Sequence, residues 1–150
     1  MALVCLGNIC RSPTAQVVLE SRLAEAGLGD RVVVHSSGTG DWHVGGPMDR
    51  RAAATLESAG YDPSRHRARQ YDKAWLDEHD LVLAMDLDNL ADLGGRSHRV
   101  GLFRDFDPLD PGAEVPDPYY GGHDTFADVL AIVERTSGSL VSELAALLDG

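Results

Sequence analysis

The sequence has few cysteines, few basic residues and no long apolar run. Its 150 residues include only two cysteines, Cys5 and Cys10, which is too few for the disulfide framework of a small secreted protein. No apolar run approaches the about 20 residues that span a bilayer, and the N-terminus lacks the residue order of a signal peptide. These absences predict a protein of the reducing cytoplasm that is not embedded in a membrane.

Basic charge is also scarce. Lysine and arginine number 13 against 24 aspartates and glutamates, which gives a formal net charge of -11. A general nucleic-acid binder needs a basic face to neutralise phosphates, so no nucleic-acid partner is predicted. Any anion site must be local, near Arg11 or in the run "RHRAR" at Arg65–Arg69.

Predicted strands and helices alternate along the chain. The hydrophobic content of 43% suffices for one core, and we find no repeat, low-complexity tract or linker, so residues 1–150 are predicted to form one domain. The alternation predicts a parallel sheet covered by helices on both faces. The predicted strands are "ALVC" (2–5), "RVVVHSSG" (31–38), "DLVLAM" (80–85) and "RVGLF" (99–103). The predicted helices are 12–27, 49–60, 74–80, 86–94 and 126–148, the last weakened at Gly138, and a long ordered loop is predicted from Asp105 to Gly122.

The segment "CLGNICRSP" links the first predicted strand to the first helix, where ligands bind in parallel α/β sheets. Backbone N–H groups and the helix dipole attract anions at such a turn, and Gly7 would allow its tight path. Arg11 offers a two-point fork that matches phosphate oxygens. The same field would stabilise the thiolate of Cys5 as a nucleophile, with Ser12 near enough to hydrogen-bond the sulfur. The segment therefore predicts attack on phosphorus.

These residues also have interpretations that involve no catalysis. Cys5 alone is typical of a buried strand residue, and Arg11 alone of a surface residue. Both cysteines are alternatively metal ligands with His35 or His43, but no set of four ligands has the spacing of a zinc site, so no metal is predicted. The arrangement Cys-x5-Arg-Ser on a strand–helix turn favours catalysis.

"CLGNICRSP" resembles the phosphate-binding loop of the low-molecular-weight protein tyrosine phosphatases. The likeness continues in "SSGTGDWHVG", "HRARQ", "AMDLDN" and "DPYYGG", in the family's order and over nearly the whole chain. It implies a three-layer α/β fold with a four-stranded parallel sheet and the phosphate-binding loop between strand 1 and helix 1. It also implies hydrolysis of phosphotyrosine through a cysteinyl-phosphate, without metal or other cofactor.

The resemblance assigns roles to residues of this chain. Cys5 matches the nucleophile, Arg11 the phosphate-binding arginine and Asp117 the general acid. Asn8 matches a residue that holds the loop's shape through hydrogen bonds to Ser12, Ser36 and His66. The substrate-binding residues implied are the phosphate-binding loop (Leu6, Gly7, Asn8, Ile9, Cys10, Ser12) and the aromatic walls (Trp42, Tyr119, Tyr120). Such walls suit a long phosphotyrosine, since phosphoserine would not reach Cys5.

Other matches are supporting or depart from the family. Asp86 and Asn89 match an element that supports the site. Gln16 stands where the family usually has a glutamate that pairs with the histidine of "HxARQ". This difference puts that ion pair in doubt, but it does not affect the expected mechanism. Only four residues precede Cys5, so either the first strand is short or the native start lies upstream. The remaining histidines are interpreted as surface residues without function (His43, His79, His98, His123).

Three rival functions stay open. Arsenate reduction on this fold needs further cysteines to relay a disulfide, and the chain has none beyond Cys10. An arginine phosphatase of the family carries threonine where this chain has Ile9, whose apolar side chain suits a phenyl ring better. A non-catalytic phosphate-binding module is the third. For the favoured function, the partners are tyrosine-phosphorylated proteins, with phosphate and other oxyanions as inhibitors, and Cys10 is a redox partner of Cys5.

Overall fold

A four-stranded parallel sheet forms the centre of the computed structural model, which describes residues 1–149. The strand order is β2-β1-β3-β4. The strands are β1 (Ala2–Cys5), β2 (His35–Gly38), β3 (Val82–Ala84) and β4 (Val100–Leu102). The helices are α1 (Arg11–Glu25), α2 (Arg50–Ser58), α3 (Trp75–Glu78), α4 (Leu87–Asp92) and α5 (His123–Asp149), with a 3-10 turn at Phe103–Phe106. The predicted element order is confirmed.

Side chains of the central strands alternate between two apolar cores. Leu3 on β1 and Leu83 on β3 point into a core shared with α1, α2 and α5, and their neighbours Val4 and Val82 point into a second core under α3 and α4. This alternation follows from the two-residue period of a strand. Helices therefore cover both faces, and the predicted three-layer α/β fold is confirmed.

The second strand is shorter than predicted. The sequence suggested a strand over 31–38, but β2 begins at His35, which is aligned with Ala2 of β1. The backbone N–H groups of Arg31 and Val32 donate to the carbonyl oxygen of Leu28 and so form a turn, and the Val33 carbonyl accepts a bond from the N-terminal amine of Met1. Val33 is exposed accordingly.

Local signals account for the helix boundaries. Asp49 caps α2 by accepting hydrogen bonds from the backbone N–H groups of Arg51 and Ala52. Gly138 was expected to weaken the last helix, but α5 runs without interruption from His123 to Asp149. Packing of Val133 and Leu140 into the core on either side of Gly138 outweighs the about 1 kcal/mol that glycine costs in a helix.

His79 is not the surface residue that the sequence suggested. It is buried at the N-terminal edge of the sheet, where its ring stacks on Trp75 and lies 2.9 Å from the Nδ1 atom of His35. Its Nδ1 lies 2.9 Å from the carbonyl oxygen of Trp75. His98 and His123 are exposed, as predicted.

Within residues 1–149, no helix combines the length and the apolar character that crossing a membrane requires.

Candidate active site

The segment after β1 forms a tight loop at the carboxyl end of the sheet. Cys5 ends β1, α1 begins at Arg11, and the connecting residues lie directly against β2. A side chain on Gly38 would stand 2.7 Å from the carbonyl oxygen of Leu6, so the close approach requires glycine there. This contact fixes the loop between β1 and β2, with Cys5 at its base.

The left-handed residue of this loop is Asn8, not Gly7. The sequence predicts that Gly7 allows the tight path of the loop, but the residue with a φ of 55° is Asn8, and Gly7 is not in the left-handed region. Asparagine tolerates this conformation better than other residues with a side chain, because its short polar group can hydrogen-bond locally. The strain is therefore offset by bonds from the Asn8 side chain.

Asn8 is fully buried and hydrogen-bonded at both ends of its amide. Its Nδ2 donates to the hydroxyl oxygens of Ser12 (2.9 Å) and Ser36 (3.0 Å), and its Oδ1 accepts from the backbone N–H of Arg69 (2.9 Å). The Nε2 atom of His66 lies 2.6 Å from the Asn8 carbonyl oxygen, so this nitrogen must carry the proton. Burial lowers the pKa of His66, which favours this neutral form.

The sulfur of Cys5 receives polar contacts from its own loop. The backbone N–H of Asn8 donates to Cys5 Sγ over 3.2 Å, and the hydroxyl of Ser12 lies 3.0 Å from it. N–H groups of Leu6, Gly7, Ile9 and Cys10 have no acceptor within residues 1–149, and α1 begins without a side-chain cap. Unpaired donors at a helix N-terminus bind anions well. The loop is thus arranged to hold an oxyanion above the sulfur.

Arg11 is buried beside this loop and held from the opposite side. Its Nη1 donates to Asp86 Oδ2 (2.6 Å) and to the carbonyl oxygen of Val115 (3.2 Å), and its Nη2 lies 3.7 Å from Asp117 Oδ2. Burial by itself would lower the pKa of Arg11, but the negative charges of Cys5 and Asp86 raise it. Arg11 is therefore a fixed cation next to the sulfur.

Asp86 contacts Arg11 directly, which the sequence suggested only weakly. It follows β3, the sheet neighbour of β1, so the two strands end beside each other. The other carboxylate oxygen of Asp86 accepts from the backbone N–H of Asn89, which also caps α4. The sequence signal for this contact was the position of an aspartate directly after β3.

A cleft of about 390 Å³ opens above Cys5. Its lining includes the aromatic residues Trp42, Tyr119 and Tyr120 together with Ile9. Trp42 is 70% exposed and Tyr120 94%, so both present apolar surface at the rim. His43, interpreted from the sequence as a surface residue without function, is half-buried and also lines the cleft.

Asp117 lies at the edge of the cleft with its side chain 42% exposed. Its Oδ1 accepts a hydrogen bond from the backbone N–H of Tyr119 (3.1 Å), so the carboxylate and the first aromatic wall belong to one turn. Its Oδ2 is the atom that faces Arg11. A carboxyl at this place can exchange a proton with a group bound in the cleft.

The second cysteine lies in the same loop but in a different environment. Cys10 is buried, and burial together with the nearby carboxylate of Asp49 raises its pKa. Both cysteines are free thiols. Cys10 is therefore protonated near neutral pH.

Gln16 replaces the family's usual ion pair by hydrogen bonds. Its Oε1 accepts from the Ser36 hydroxyl (2.6 Å) and its Nε2 donates to the Val34 carbonyl (3.1 Å). Ser36 in turn binds Asn8, so Gln16 supports the loop without a charge.

A larger cavity of about 470 Å³ lies beside α1, away from Cys5. Its lining includes Gln16, Tyr61, Arg65 and Arg67, but no cysteine and no residue of the cleft above Cys5. Size alone would favour this cavity, but the grouping of nucleophile, cation and carboxyl favours the smaller cleft. Within residues 1–149, no three His, Cys, Asp or Glu side chains are grouped to hold a metal ion.

Comparison with known proteins gives a consistent result. The family model described as low molecular weight phosphotyrosine protein phosphatase matches residues 1–148. The chain is 42% identical to a low molecular weight protein-tyrosine-phosphatase of Streptomyces coelicolor, over 98% of this chain and 94% of that protein. It is 46% identical to low molecular weight protein-tyrosine phosphatase A of Mycobacterium tuberculosis, over 87% of this chain and 82% of that protein.

A solved structure agrees with these sequence matches. The crystal structure of a protein tyrosine phosphatase from Entamoeba histolytica, with Hepes in its active site, superposes with a TM-score of 0.90. The two are 32% identical, and the match covers 97% of this chain and 96% of that one.

Proposed function

The chain belongs to the low molecular weight phosphotyrosine protein phosphatase family, and we propose that Cys5, Arg11 and Asp117 carry its reaction. The protein is a protein-tyrosine phosphatase, a hydrolase of phosphoric monoesters. The observation that carries the residue assignment is the grouping of a nucleophilic sulfur, unpaired N–H donors and a buried cation at one strand end.

In the first step, the Cys5 thiolate attacks phosphorus and the bond from phosphorus to the tyrosine oxygen breaks. Arg11 and the free loop N–H groups bind the three non-bridging oxygens, whose charge must be stabilised in the transition state. Asp117 donates its proton to the departing phenolate oxygen. The products of this step are a cysteinyl-phosphate and free tyrosine hydroxyl.

In the second step, Asp117 returns as a base. Its carboxylate takes a proton from a water molecule, which attacks phosphorus as the sulfur–phosphorus bond breaks. Inorganic phosphate leaves and the Cys5 thiolate is restored. The hydroxyl of Ser12, 3.0 Å from Cys5 Sγ, stabilises the thiolate as it departs.

The cleft supports a choice of phosphotyrosine over phosphoserine. Cys5 is buried at the base of the cleft, whereas Trp42 and Tyr120 rise to an exposed rim. A phenyl ring spans this depth and packs between aromatic walls, which a short serine side chain does not. Ile9, at the cleft wall, offers apolar contact to the ring and no hydrogen bond to a guanidinium.

The wider assignments are proposals as well. We propose that residues 1–150 form one phosphatase domain, that it works in the cytoplasm on tyrosine-phosphorylated proteins, and that phosphate and related oxyanions inhibit it. The sulfonate-bearing Hepes in the active site of the E. histolytica phosphatase supports the oxyanion part. The two free, buried thiols support a reducing location.

A trapping experiment tests the nucleophile. Cys5→Ser should abolish turnover of an aryl phosphate while the folded variant still binds tungstate, because Arg11 and the loop N–H groups carry the anion contacts. The same variant is incubated with a phosphotyrosine peptide and with matched phosphoserine and phosphoarginine ligands. Of the three, it should bind only the phosphotyrosine peptide. Substantial residual turnover would remove Cys5 from its role, and retention of phosphoarginine alone would favour the arginine phosphatase.

A series of leaving groups tests the acid. Asp117→Asn keeps the shape of the side chain but removes its transferable proton. A general acid raises the reaction rate on the order of 10²–10⁴-fold. The loss should be large for phenols with a pKa near 10, as in tyrosine, and small for electron-poor phenols. Asp124→Asn, an exposed carboxylate in the first turn of α5, is the control. An equal loss for every phenol would make Asp117 a structural residue.

A further inference from the structure

Arg51, an exposed residue of α2, contacts the loop that carries Asp117. We call residues 116–122 the acid loop. Arg51 Nη2 donates to the carbonyl oxygen of Tyr119 over 2.7 Å, and its Nη1 reaches that of Gly121 over 3.4 Å. Within residues 1–149, these are the only hydrogen bonds that reach the acid loop from outside it and outside α5.

The guanidinium of Arg51 is itself fixed by its surroundings. Its Nε and Nη2 donate to the two carboxylate oxygens of Asp49, over 3.3 and 3.1 Å. Its central carbon lies 5.5 Å from the centre of the Tyr119 ring and 4.7 Å from that of Phe126. Four hydrogen bonds and two aromatic faces leave little of this side chain free to bind a substrate charge.

Asp49 extends the connection to the phosphate-binding loop. Its backbone N–H donates to the carbonyl oxygen of Ile9 over 2.9 Å, and its side chain caps α2. A continuous path of bonds therefore runs from Ile9 through Asp49 and Arg51 to Tyr119. The start of α2 joins the loop that binds phosphate to the loop that protonates the leaving group.

The acid loop has other restraints besides Arg51. On its N-terminal side it is held at Val115, whose backbone bonds Met85 and Arg11. Between that point and α5, Asp117 Oδ2 lies 3.7 Å from Arg11 Nη2, and Pro118 is buried near Cys10 and Phe126. The hydrogen bonds among loop residues are short-range, such as Tyr119 N–H to Asp117 Oδ1. Because Tyr119 is tied to both Asp117 and Arg51, movement of its carbonyl moves the acid.

We propose that Arg51 is a positioning residue for the protonation step: it holds the turn of Asp117 and Tyr119 at a fixed distance from the phosphate-binding loop. This rests on the proposed role of Asp117 as general acid. Arg51 touches neither the phosphate nor the leaving oxygen in this assignment. Its effect on the rate passes through Asp117, and through Tyr119 as a wall of the cleft.

The test measures phosphoryl-enzyme formation and kcat/KM for aryl phosphates whose phenols differ in acidity. In Arg51→Ala, the rate of phosphoryl-enzyme formation and kcat/KM for phenyl phosphate should fall on the order of tenfold. A small misplacement of a reacting group lowers a rate by up to about 10²-fold. The loss should be only about twofold for electron-poor phenols, which leave without a proton. Arg51→Lys keeps the charge but not the fork, and should fall between these values.

A double variant separates positioning from a general loss of structure. Where Asp117→Asn has already removed the proton, adding Arg51→Ala should lower the phenyl phosphate rate by no more than about twofold, because residues that act together are not additive. Arg50→Ala, a change at the exposed neighbour in the same turn of α2, is the matched control. Thermal unfolding of each variant shows whether it is folded. If Arg51→Ala does not fold, Arg51→Lys takes its place in the same comparison.

Two results would overturn the proposal. One is a loss in Arg51→Ala that is the same for all phenols, and the other is a double variant that shows the full product of the two single losses. If the rate loss in Asp117→Asn alone were the same for every phenol, Asp117 would not be the general acid, and it is the proposed function that would fail. The two failures are therefore distinguishable.

Discussion

Arg11 and Asp86 are 75 positions apart in the chain, and their Nη1 and Oδ2 atoms lie 2.6 Å apart. They follow neighbouring parallel strands, β1 and β3, which end at the same edge of the sheet. The carboxylate binds Nη1 of the guanidinium, and Nη2 lies 3.7 Å from Asp117 Oδ2. This pair orients the guanidinium that we propose to bind phosphate.

The first prediction concerns this orientation. Asp86→Asn removes a charge-assisted hydrogen bond worth about 1.5–3 kcal/mol, so we expect kcat/KM for an aryl phosphate to fall on the order of tenfold. Inhibition by vanadate, which resembles the transition state, should weaken more than inhibition by phosphate. Steady-state kinetics and inhibition constants measure both. Asp88→Asn, on the exposed side of α4, is the control, and equal kinetics in the two variants would contradict the prediction.

The second prediction separates strain from hydrogen bonding at Asn8. Asn8→Ala loses three buried side-chain hydrogen bonds and keeps the left-handed angle, whereas Asn8→Gly loses the same bonds without the strain. We expect both to be destabilised, with the glycine variant more stable than the alanine variant by about 1–2 kcal/mol. Urea unfolding gives the two free energies. Equal stability would show that the φ of 55° costs nothing here.

The third prediction concerns oxidation. Peroxide converts the Cys5 thiolate to a sulfenic acid, and attack by the Cys10 thiolate on that sulfur would form a disulfide and release hydroxide, so that thiol treatment restores activity. Because burial raises the pKa of Cys10, its thiolate fraction is small at neutral pH and grows with pH. We therefore expect recovery after peroxide to improve from pH 7 to pH 9 in the parent protein.

The matched variant for this test is Cys10→Ser. It should recover less activity than the parent at each pH, and its recovery should not improve as the pH rises. Activity assays after peroxide and then dithiothreitol measure this. A variant that recovers as completely as the parent would show that Cys10 only fills space behind the loop.

The fourth prediction concerns stability at acid pH. Asp107 is buried and accepts hydrogen bonds from Arg135 on α5 and Arg104 after β4, and the guanidinium of Arg135 above all holds the pKa of Asp107 well below its usual range. Breaking a buried ion pair costs about 3–5 kcal/mol, so we expect Asp107→Asn to be destabilised by about 3 kcal/mol at pH 7. Urea unfolding measures this loss.

The sign of the pH dependence follows from the lowered pKa. The stability that Asp107 contributes is complete above the pKa of an unfolded aspartate, about 3.9, and is lost as the pH falls towards the folded value. The parent and Asp107→Asn should therefore converge below about pH 4. Asp110→Asn, an exposed carboxylate 3.7 Å from Arg104, should change little at any pH. A constant difference down to pH 2 would contradict the assignment.

Local sequence determined the element order and the phosphate-binding loop. The continuous apolar run "ALVC", the turn chemistry of "CLGNICRS" and the proline near the start of α1 act within a few residues, so they can be read from one segment. The roles implied for Cys5, Arg11 and Asp117 came from the resemblance of short motifs to those of the family, and local chemistry alone did not select Asp117. The predicted strand at 31–38 was too long because strand length depends on a neighbour, which the segment itself does not specify.

Tertiary structure decided which distant residues meet. Whether Asp86 touches Arg11, whether His79 is buried and which side chain holds the acid loop depend on strand order and helix packing, and long-range contacts of this kind leave no periodic signal. The left-handed angle falls on Asn8 because Ser12, Ser36 and Arg69 offset its strain together. A segment specifies its own backbone preferences, but the partners that make a strained or charged residue stable are brought to it by the fold.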